Sequence, residues 1–380
     1  MTDRDRLDDI GAKVEAGIRL DHQDGERLFA SRDLHEIGRL ADVVRRRKNG
    51  CVAYYVQNRH INYTNYCVLR CKFCSFRRPH AEPGDDGYEL SVEQIVQQAS
   101  EAYQAGATEV HIVGGLHPKL PFAYYLEMVA GIRQACPRIH IKAFTAVEIV
   151  HFARIARPRL TVPNVLARLS EAGLDSLPGG GAEIFDARVH AEAFSQKVGE
   201  AGWFDVHRTA HEMGIRSTAT MLFGHIETPA ERVRHLIKLR AHQDASMAAR
   251  RAQFQALVPL PFIPAGSAWA DLPGPTGFET LKTLAIARLI LDNLAHLKAF
   301  WPMLTPKLAQ VSLDFGVDDL DGTVGQYDVT HYDGAPADRQ ALSVHELRRL
   351  IAETGRIPVE RDALYRPVVR DERGRPAGAG

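Results

Sequence analysis

The sequence has few cysteines, no excess of either charge and no long apolar run. Five cysteines in 380 residues form an odd, sparse set that does not suit the disulfide framework of a small secreted domain. The 47 Lys and Arg residues balance 47 Asp and Glu residues, without the basic excess typical of proteins that bind nucleic acids or membrane surfaces. No run reaches the roughly 18 apolar residues of a membrane-spanning helix. We therefore expect a cytoplasmic protein with no nucleic-acid and no membrane partner.

The chain length and the order of its patterns predict one large α/β unit with additions at both ends. Residues 1–50 are polar with apolar residues at helical spacing, so we assign them to an N-terminal helical extension. Residues 51–366 are assigned to the main domain. Residues 367–380 are rich in Arg, Gly, Pro and Ala, a composition that predicts a disordered tail.

Short β-type runs alternate with longer helical patterns throughout the main domain. The β-type runs cover 61–64, 109–113, 139–143, 217–221, 254–258 and 309–315, with a further short run near 175–177. The helical patterns cover 91–105, 122–135, 163–172, 200–213, 229–242 and 276–296. This βαβα alternation is typical of a parallel sheet. Six or more such units without a break predict an α/β fold, a TIM-type (β/α)8 or near-complete barrel.

Three of the five cysteines, Cys67, Cys71 and Cys74, lie within eight residues. They follow the first predicted strand, where the C-terminal, catalytic face of a barrel would be. Their spacing places three thiolates on one compact loop, which suits a [4Fe-4S] cluster with one iron left open. The alternative from another functional class is a zinc-stabilised binding barrel, in which His60 or His80 supplies the fourth zinc ligand.

Glycines and polar residues follow the other predicted strands. They are Gly114 and Gly115; Lys142, Thr145 and Glu148; Gly179, Gly180, Gly181 and Glu183; and His225. Glycines at a strand end let the backbone approach a ligand closely, and they also occur in plain tight turns. Thr145 and Glu148 have the spacing of a capping box, which is the structural alternative to a direct role. Glu183 is either a salt-bridge anchor or a ligand contact.

The cysteine spacing, with Phe73 directly before the last cysteine, resembles the signature of the radical S-adenosylmethionine (radical SAM) superfamily. The segment His60-Ile61-Asn62, the glycine stretches and residues 355–362 occur in the order found in one branch of that superfamily. That branch contains the menaquinone enzymes of the futalosine route and the deazaflavin synthases. Within it, residues 109–118, 140–148 and 178–185 are most similar to the aminofutalosine synthases.

This resemblance implies a [4Fe-4S] cluster and S-adenosylmethionine (SAM), which acts as a co-substrate. The metal ligands that it implies are Cys67, Cys71 and Cys74. The cofactor-binding residues that it implies are Phe73, Gly114, Gly115, Thr145, Glu148, Gly179, Gly180 and Gly181. The catalytic candidates are Lys142, His225, His60 and Glu183.

The resemblance also implies a reaction and its partners. The 5′-deoxyadenosyl radical adds to 3-[(1-carboxyvinyl)oxy]benzoate, and rearrangement with loss of CO2 gives aminofutalosine. A reductant such as flavodoxin or ferredoxin supplies the electron. Two alternatives within the branch stay open, a dehypoxanthine futalosine cyclase and a deazaflavin synthase subunit, which tend to have His in place of Lys142.

Overall fold

The computed structural model describes residues 7–80, 86–325, 327–330, 340–371 and 376 of the chain. The strands are β1 (Val52–Val56), β2 (Asn58–Ile61), β3 (Glu109–Ile112), β4 (His140–Ala143), β5 (Ser176–Leu177), β6 (Arg216–Phe223), β7 (Phe254–Pro261), β8 (His296–Leu297), β9 (Asp319–Gly322) and β10 (Ile357–Glu360). The helices are α1 (Asp8–Glu15), α2 (His22–Ala30), α3 (Leu34–Asn49), α4 (Val92–Gln104), α5 (Phe122–Ala135), α6 (Ala146–Ile155), α7 (Val162–Ala172), α8 (Ala187–Ala193), α9 (Glu200–Glu212), α10 (Pro229–Ala248), α11 (Gly277–Ile290), α12 (Trp301–Leu304), α13 (Pro306–Ser312) and α14 (Val344–Ala352). Within these ranges no helix combines the length and the apolar character needed to cross a bilayer.

Seven strands, β2 to β8, form one parallel sheet in which the spatial order equals the chain order. Helices connect the successive strands, as parallel pairing requires. Many of these helices begin at a Ser or Thr whose side chain accepts a hydrogen bond from the first turn. These N-caps are Ser91, Thr145, Thr161, Thr228 and Thr276. The predicted near-complete barrel is confirmed.

Residues 318–324 close the gap between the first and last strands of this sheet. On one side the Asp318 amide donates to the Leu297 carbonyl at 3.2 Å. On the other side the His60 amide donates to the Val324 carbonyl at 2.9 Å. The same segment contains β9, which pairs with β1 in a separate three-stranded sheet of order β10-β1-β9. Backbone hydrogen bonds therefore bridge the gap in the barrel wall between its first and last strands.

The strand predicted at 309–315 is wrong. Residues 306–312 form helix α13, and a 3-10 turn, Leu313–Phe315, follows it. The Thr305 hydroxyl caps this helix by accepting from the Leu308 amide at 3.2 Å, and Pro306 at the first position favours a helix start. These local helix-start signals therefore outweigh the strand pattern of the apolar residues at 309–315. Strands β1, β8, β9 and β10 were not predicted, although the similarly short β3, β4 and β5 were.

The helices α1 to α3 lie within the predicted N-terminal extension. Helix α3 packs against α11, and α2 packs against α10, so both cover outer helices of the barrel. The boundaries of the predicted extension and main domain stay predictions. The predicted disordered tail, 367–380, falls largely outside the described residues, although Arg370 is described and forms an ion pair with Glu360.

Candidate functional site

A cavity of about 290 Å³ lies inside the barrel at the C-terminal ends of its strands. Every site residue predicted from the sequence lines this cavity, with the exception of His225. The lining candidates are Cys67, Cys71, Phe73, Cys74, His60, Gly114, Gly115, Lys142, Thr145, Glu148, Gly179, Gly180, Gly181 and Glu183. Residues from the ends of four successive strands, β2 to β5, thus meet at one place.

The cysteine loop is held in place through its own backbone. The Cys67 amide donates to the Arg78 carbonyl at 3.1 Å, and the Val68 amide donates to the Leu116 carbonyl at 3.0 Å. Burial raises the pKa of Cys67, and it raises the pKa of Cys71 to about 11. Burial therefore makes both thiols harder to ionise than a free cysteine, and a bound cation would favour the thiolate.

The paired glycines Gly114 and Gly115 let the loop after β3 pass directly beside the cysteine loop. A Cβ atom on Gly115 would lie 2.2 Å from the Tyr66 carbonyl oxygen and 3.1 Å from the Cys67 Cβ. A Cβ atom on Gly114 would lie 2.6 Å from the ring of Tyr63. Glycine is therefore required at both positions for packing, before any ligand is considered.

Glu148 joins the ends of three neighbouring strands. Its carboxylate accepts hydrogen bonds from the Tyr63 hydroxyl at 2.7 Å, the Gly114 amide at 3.2 Å and the Thr145 amide at 2.7 Å. The capping box that Thr145 and Glu148 predict is confirmed. Burial raises the pKa of Glu148 to about 7 against the opposing effect of these donors. Glu148 therefore combines a structural cap with a position on the cavity wall.

The glycine triplet packs against strand β6. A Cβ atom on Gly179 would lie 2.6 Å from the backbone of Ala219, and Gly181 has a φ of +97°. The Thr220 hydroxyl donates to the Gly179 carbonyl at 2.7 Å. Close backbone packing therefore accounts for these glycines and places them on the cavity wall at the same time.

Glu183 follows the triplet and forms a buried ion pair with Lys197. The Lys197 ammonium lies 5.2 Å from the ring centroid of Phe73, on the cysteine loop. Burial alone would lower the pKa of Lys197, but the Glu183 carboxylate and nearby thiols outweigh it and raise that pKa. Glu183 is thus the anchor of a salt bridge, and this pair places a cation beside the cysteines.

The floor of the cavity consists of aligned side chains from adjacent strands. His60 on β2 is in register with His111 on β3, which is in register with Lys142 on β4. The Lys142 ammonium donates to Glu109 Oε2 at 2.7 Å. Burial lowers the pKa of Lys142 to about 8. The floor is therefore polar, whereas much of the wall above it is apolar.

His225 does not line the cavity. Its side chain is fully buried, and its ring stacks on Trp269 with centroids 5.9 Å apart. Its Nδ1 atom lies 3.2 Å from Glu227 Oε2 without hydrogen-bond geometry. Glu227 in turn accepts from Arg232 Nε at 2.6 Å. The catalytic role of His225 stays a prediction, and its side chain is buried outside the cavity.

Comparison with known proteins identifies the family. The model of the radical SAM superfamily matches residues 61–239. The chain is 47% identical over 367 residues to the aminodeoxyfutalosine synthase of Thermus thermophilus, with 96% of each chain covered. It is 34% identical to the cyclic dehypoxanthine futalosine synthase of Streptomyces coelicolor, with 97% of this chain and 90% of that one covered. The chain belongs to the radical SAM superfamily.

The fold agrees with this membership. The crystal structure of a methylornithine synthase superposes with a TM-score of 0.72 over 92% of this chain and 97% of that chain, at 17% identity. Radical SAM enzymes use a [4Fe-4S] cluster and SAM. The chain is therefore a radical SAM enzyme, and the alternative of a zinc-stabilised binding barrel is wrong.

The residues present fit such a cluster. Cys67, Cys71 and Cys74 share one cavity, burial raises the pKa of two of these thiols in the absence of a metal, and the Lys197 ammonium lies nearby to balance a negative cluster. No three His, Cys, Asp or Glu side chains among the described residues converge on a position for a single metal ion. Three cysteines that each bind a different iron of a cubane do not need to converge in that way.

Three basic side chains of the cavity, those of His111, Lys197 and Lys298, were missed by the sequence reasoning. His111 had a usable signal, because strand alternation places it opposite Val110 and Ile112, on the face of the barrel interior. Lys197 follows α8 in a loop without a motif, and Lys298 follows the two-residue strand β8. Only the tertiary structure brings these two lysines to the site.

Proposed function

We propose that the chain is an aminodeoxyfutalosine synthase. The substrate is 3-[(1-carboxyvinyl)oxy]benzoate, the adenosyl group of SAM is joined to its enolpyruvyl carbon, and the carboxyl group is lost as CO2. The observation that carries the proposal is the 47% identity to the Thermus thermophilus enzyme over 96% of both chains. The lower identity to the cyclic dehypoxanthine futalosine synthase, 34%, makes the cyclase the weaker candidate.

The cofactors would occupy the upper part of the cavity. Cys67, Cys71 and Cys74 would hold the cluster, and Gly114 with Glu148 lies beside them on the wall. When bound, the cluster and SAM supply the 5′-deoxyadenosyl radical, which is the reactive species of the superfamily. A primary radical is unselective, so the protein must hold the target close and exclude water. The enclosed barrel interior suits both tasks.

The substrate would occupy the lower part of the cavity. Its two carboxylates need donors, and the floor offers Lys142, Lys298 and the imidazoles of His60 and His111. Its aromatic ring needs an apolar wall, which Leu260, Phe300 and Met303 can supply among others. We therefore place the ring carboxylate at the floor, with the enolpyruvyl end toward the cysteines, where the radical would form.

The remaining partners follow from the same proposal. A one-electron reductant such as flavodoxin or ferredoxin would supply the electron. Menaquinone formation and a cytoplasmic location belong to the proposal as well.

The proposal is tested by an anaerobic assay. The cluster is reconstituted, dithionite, SAM and 3-[(1-carboxyvinyl)oxy]benzoate are added, and the products are identified by mass spectrometry. We expect a product that carries the adenosyl group, together with CO2. Free 5′-deoxyadenosine with unchanged substrate would contradict the synthase and direct attention to the cyclase and its relatives.

A further inference from the structure

The floor of the cavity contains two histidines that stack on one another. The ring centroids of His60 and His111 are 4.5 Å apart, with 15° between the ring planes. On the other side of His60, the ring of Phe300 stacks at 5.5 Å, and the ring of Tyr327 meets it edge-on at 5.5 Å. The two imidazoles are thus fixed in orientation by aromatic neighbours and open toward the cavity.

His60 lacks the hydrogen bonds that a buried polar group normally has. Its side chain is buried, with 4% of the residue exposed, and neither ring nitrogen has a partner. Leaving a buried donor or acceptor unsatisfied costs about 1–3 kcal/mol. Native structures seldom keep such a group without a reason. A ligand in the cavity that hydrogen-bonds to this imidazole would supply the reason.

The charged groups around the two imidazoles are already paired with one another. The Lys142 ammonium lies 2.7 Å from Glu109 Oε2, and the Lys298 ammonium lies 3.7 Å from Asp321 Oδ1. A third ion pair joins Arg361 Nε to Asp319 Oδ2 at 2.7 Å. These groups come from β3, β4, β9 and the segments after β8 and β10. The described floor thus holds three cations and three carboxylates, with no net charge left for an anion.

Without a bound anion, both imidazoles of the pair are uncharged near neutral pH. Burial lowers the pKa of His60 to about 4 and that of His111 well below its usual 6.5. For His60, the carboxylates of Asp321 and Glu109 oppose this effect. For His111, the neighbouring His60 and Lys142 add to it, and Glu109 opposes it. An anion placed against the pair would act in the opposite direction, since a nearby negative charge favours the imidazolium form.

We propose that the His60–His111 pair recognises the ring carboxylate of the substrate, and that this binding takes up one proton on the pair. The inference rests on the proposed function, which places the enolpyruvyl end toward the cysteines and the ring carboxylate toward the floor. The proton comes from solvent and compensates a carboxylate that would otherwise enter an enclosed site uncompensated. Only one proton is taken up, because two imidazolium rings stacked at 4.5 Å would repel each other.

The test is calorimetry on the reconstituted holoenzyme with an oxidised cluster and SAM, under which no turnover occurs. Substrate is titrated at pH 7.0 in phosphate and in Tris, whose ionisation enthalpies differ. The dependence of the observed heat on the buffer gives the number of protons taken up. We expect about one proton for the wild type, and an apparent Kd that rises about tenfold per pH unit in that range.

Two comparisons assign the proton. The double variant His60→Gln, His111→Gln should bind at least tenfold more weakly at pH 7.0, with proton uptake close to zero. The matched control is His207→Gln, which removes a buried histidine outside the cavity and should keep the uptake of the wild type. Where the double variant fails to fold, the wild type is titrated with 2-phenoxyacrylate, which lacks the ring carboxylate and should bind without uptake.

The outcomes separate the two proposals. Wild-type enzyme that binds and converts the substrate without taking up a proton overturns the role of the pair and leaves the proposed function intact. Proton uptake that persists in the folded double variant, or that accompanies binding of 2-phenoxyacrylate, also overturns the role of the pair. A wild type that neither binds nor converts 3-[(1-carboxyvinyl)oxy]benzoate overturns both proposals.

Discussion

Two groups of buried and half-buried histidines lie on opposite faces of the barrel sheet. His60 and His111 face the cavity inside the barrel. His207, His211 and His242 lie on the outer helices α9 and α10. Burial lowers the pKa in both groups, to about 4 for His60 and to about 3 for His211. Burial and pKa therefore do not distinguish one group from the other.

The hydrogen-bond partners do distinguish them. In the outer group, the Ser217 hydroxyl lies 3.0 Å from His207 Nδ1 and 2.8 Å from His211 Nε2, and Ser246 lies 3.2 Å from His211 Nδ1. Among the buried ring nitrogens of this group, only His207 Nε2 has no partner, and the His207 ring packs on Trp203 at 4.0 Å. His60 has no partner on either nitrogen and opens onto a cavity. We infer that a ring nitrogen that faces the cavity without a hydrogen-bond partner indicates a ligand site. A ring nitrogen that has such a partner indicates a structural role.

The largest expected effect comes from two cysteine variants, one at the cavity and one outside it. Cys71→Ser should lose cluster iron and reduce product formation to background, because the hydroxyl is a poor iron ligand. Cys136→Ser, which replaces a buried thiol near the Ser100 hydroxyl at 3.7 Å, should keep its iron and lose only about 1 kcal/mol of stability. Iron and sulfide analysis with the anaerobic assay checks both. Equal iron loss in the two variants would contradict the distinction.

An intermediate effect concerns the pH dependence of stability. Burial lowers the pKa of His211 to about 3 and that of His242 to about 4. The unfolded chain takes up protons on these groups below pH 6.5, and the folded chain does so only near those lower values. Their contribution to stability is therefore complete above pH 6.5 and is lost as the pH falls toward 4. Protonation of the buried His211 would cost up to about 2 kcal/mol between pH 6.5 and 5, and the half-buried His242 would contribute less because solvent screens it.

The variant His211→Gln separates the two groups. Urea unfolding at pH 7 and pH 5 should show a smaller loss of stability in this variant than in the wild type. Proton uptake on substrate binding should stay unchanged, because His211 lies outside the cavity. The roles of the two groups would be reversed if His211→Gln lost as much stability between pH 7 and pH 5 as the wild type and took up fewer protons on substrate binding.

Sequence reasoning was most successful where function concentrates residues in a short segment. The cysteines, the glycine pair and triplet and the Thr145–Glu148 box are each readable within a few residues, and strand order places them at one barrel end. The same reasoning failed where contacts join distant segments. Lys197 reaches Phe73 through tertiary packing alone, which no local pattern predicts.

The fold was predictable to a similar extent and for similar reasons. Long helices and the strands between them have clear periodicity, so the barrel rhythm was visible. The segment that closes the barrel, 318–324, was not, since its strand β9 has four residues and pairs with a distant strand, β1. The partner state of a histidine is also a tertiary property, so the contrast between His60 and His211 could not be read from the sequence.

The smallest expected effect compares two capping boxes, one at the cavity and one away from it. The Ser91 side chain caps α4 with Gln94, and the Thr145 side chain caps α6 with Glu148. Ser91→Ala and Thr145→Ala should each cost about 1 kcal/mol in the free energy of unfolding. Ser91→Ala should leave the kinetics unchanged, since its box does not line the cavity.

Thr145→Ala should also change the kinetics, because Glu148 loses a hydrogen-bond donor that holds its pKa down at about 7. With that donor removed, the pKa of Glu148 rises, and the carboxylate is protonated up to a higher pH. The acid limb of the kcat/KM profile for SAM should therefore move to higher pH, with a loss of roughly tenfold at pH 7 for a missing charge-assisted hydrogen bond. Profiles measured for both variants decide the matter. If Thr145→Ala loses stability but keeps the wild-type profile, then Glu148 is a cap alone and the cavity side of this comparison fails.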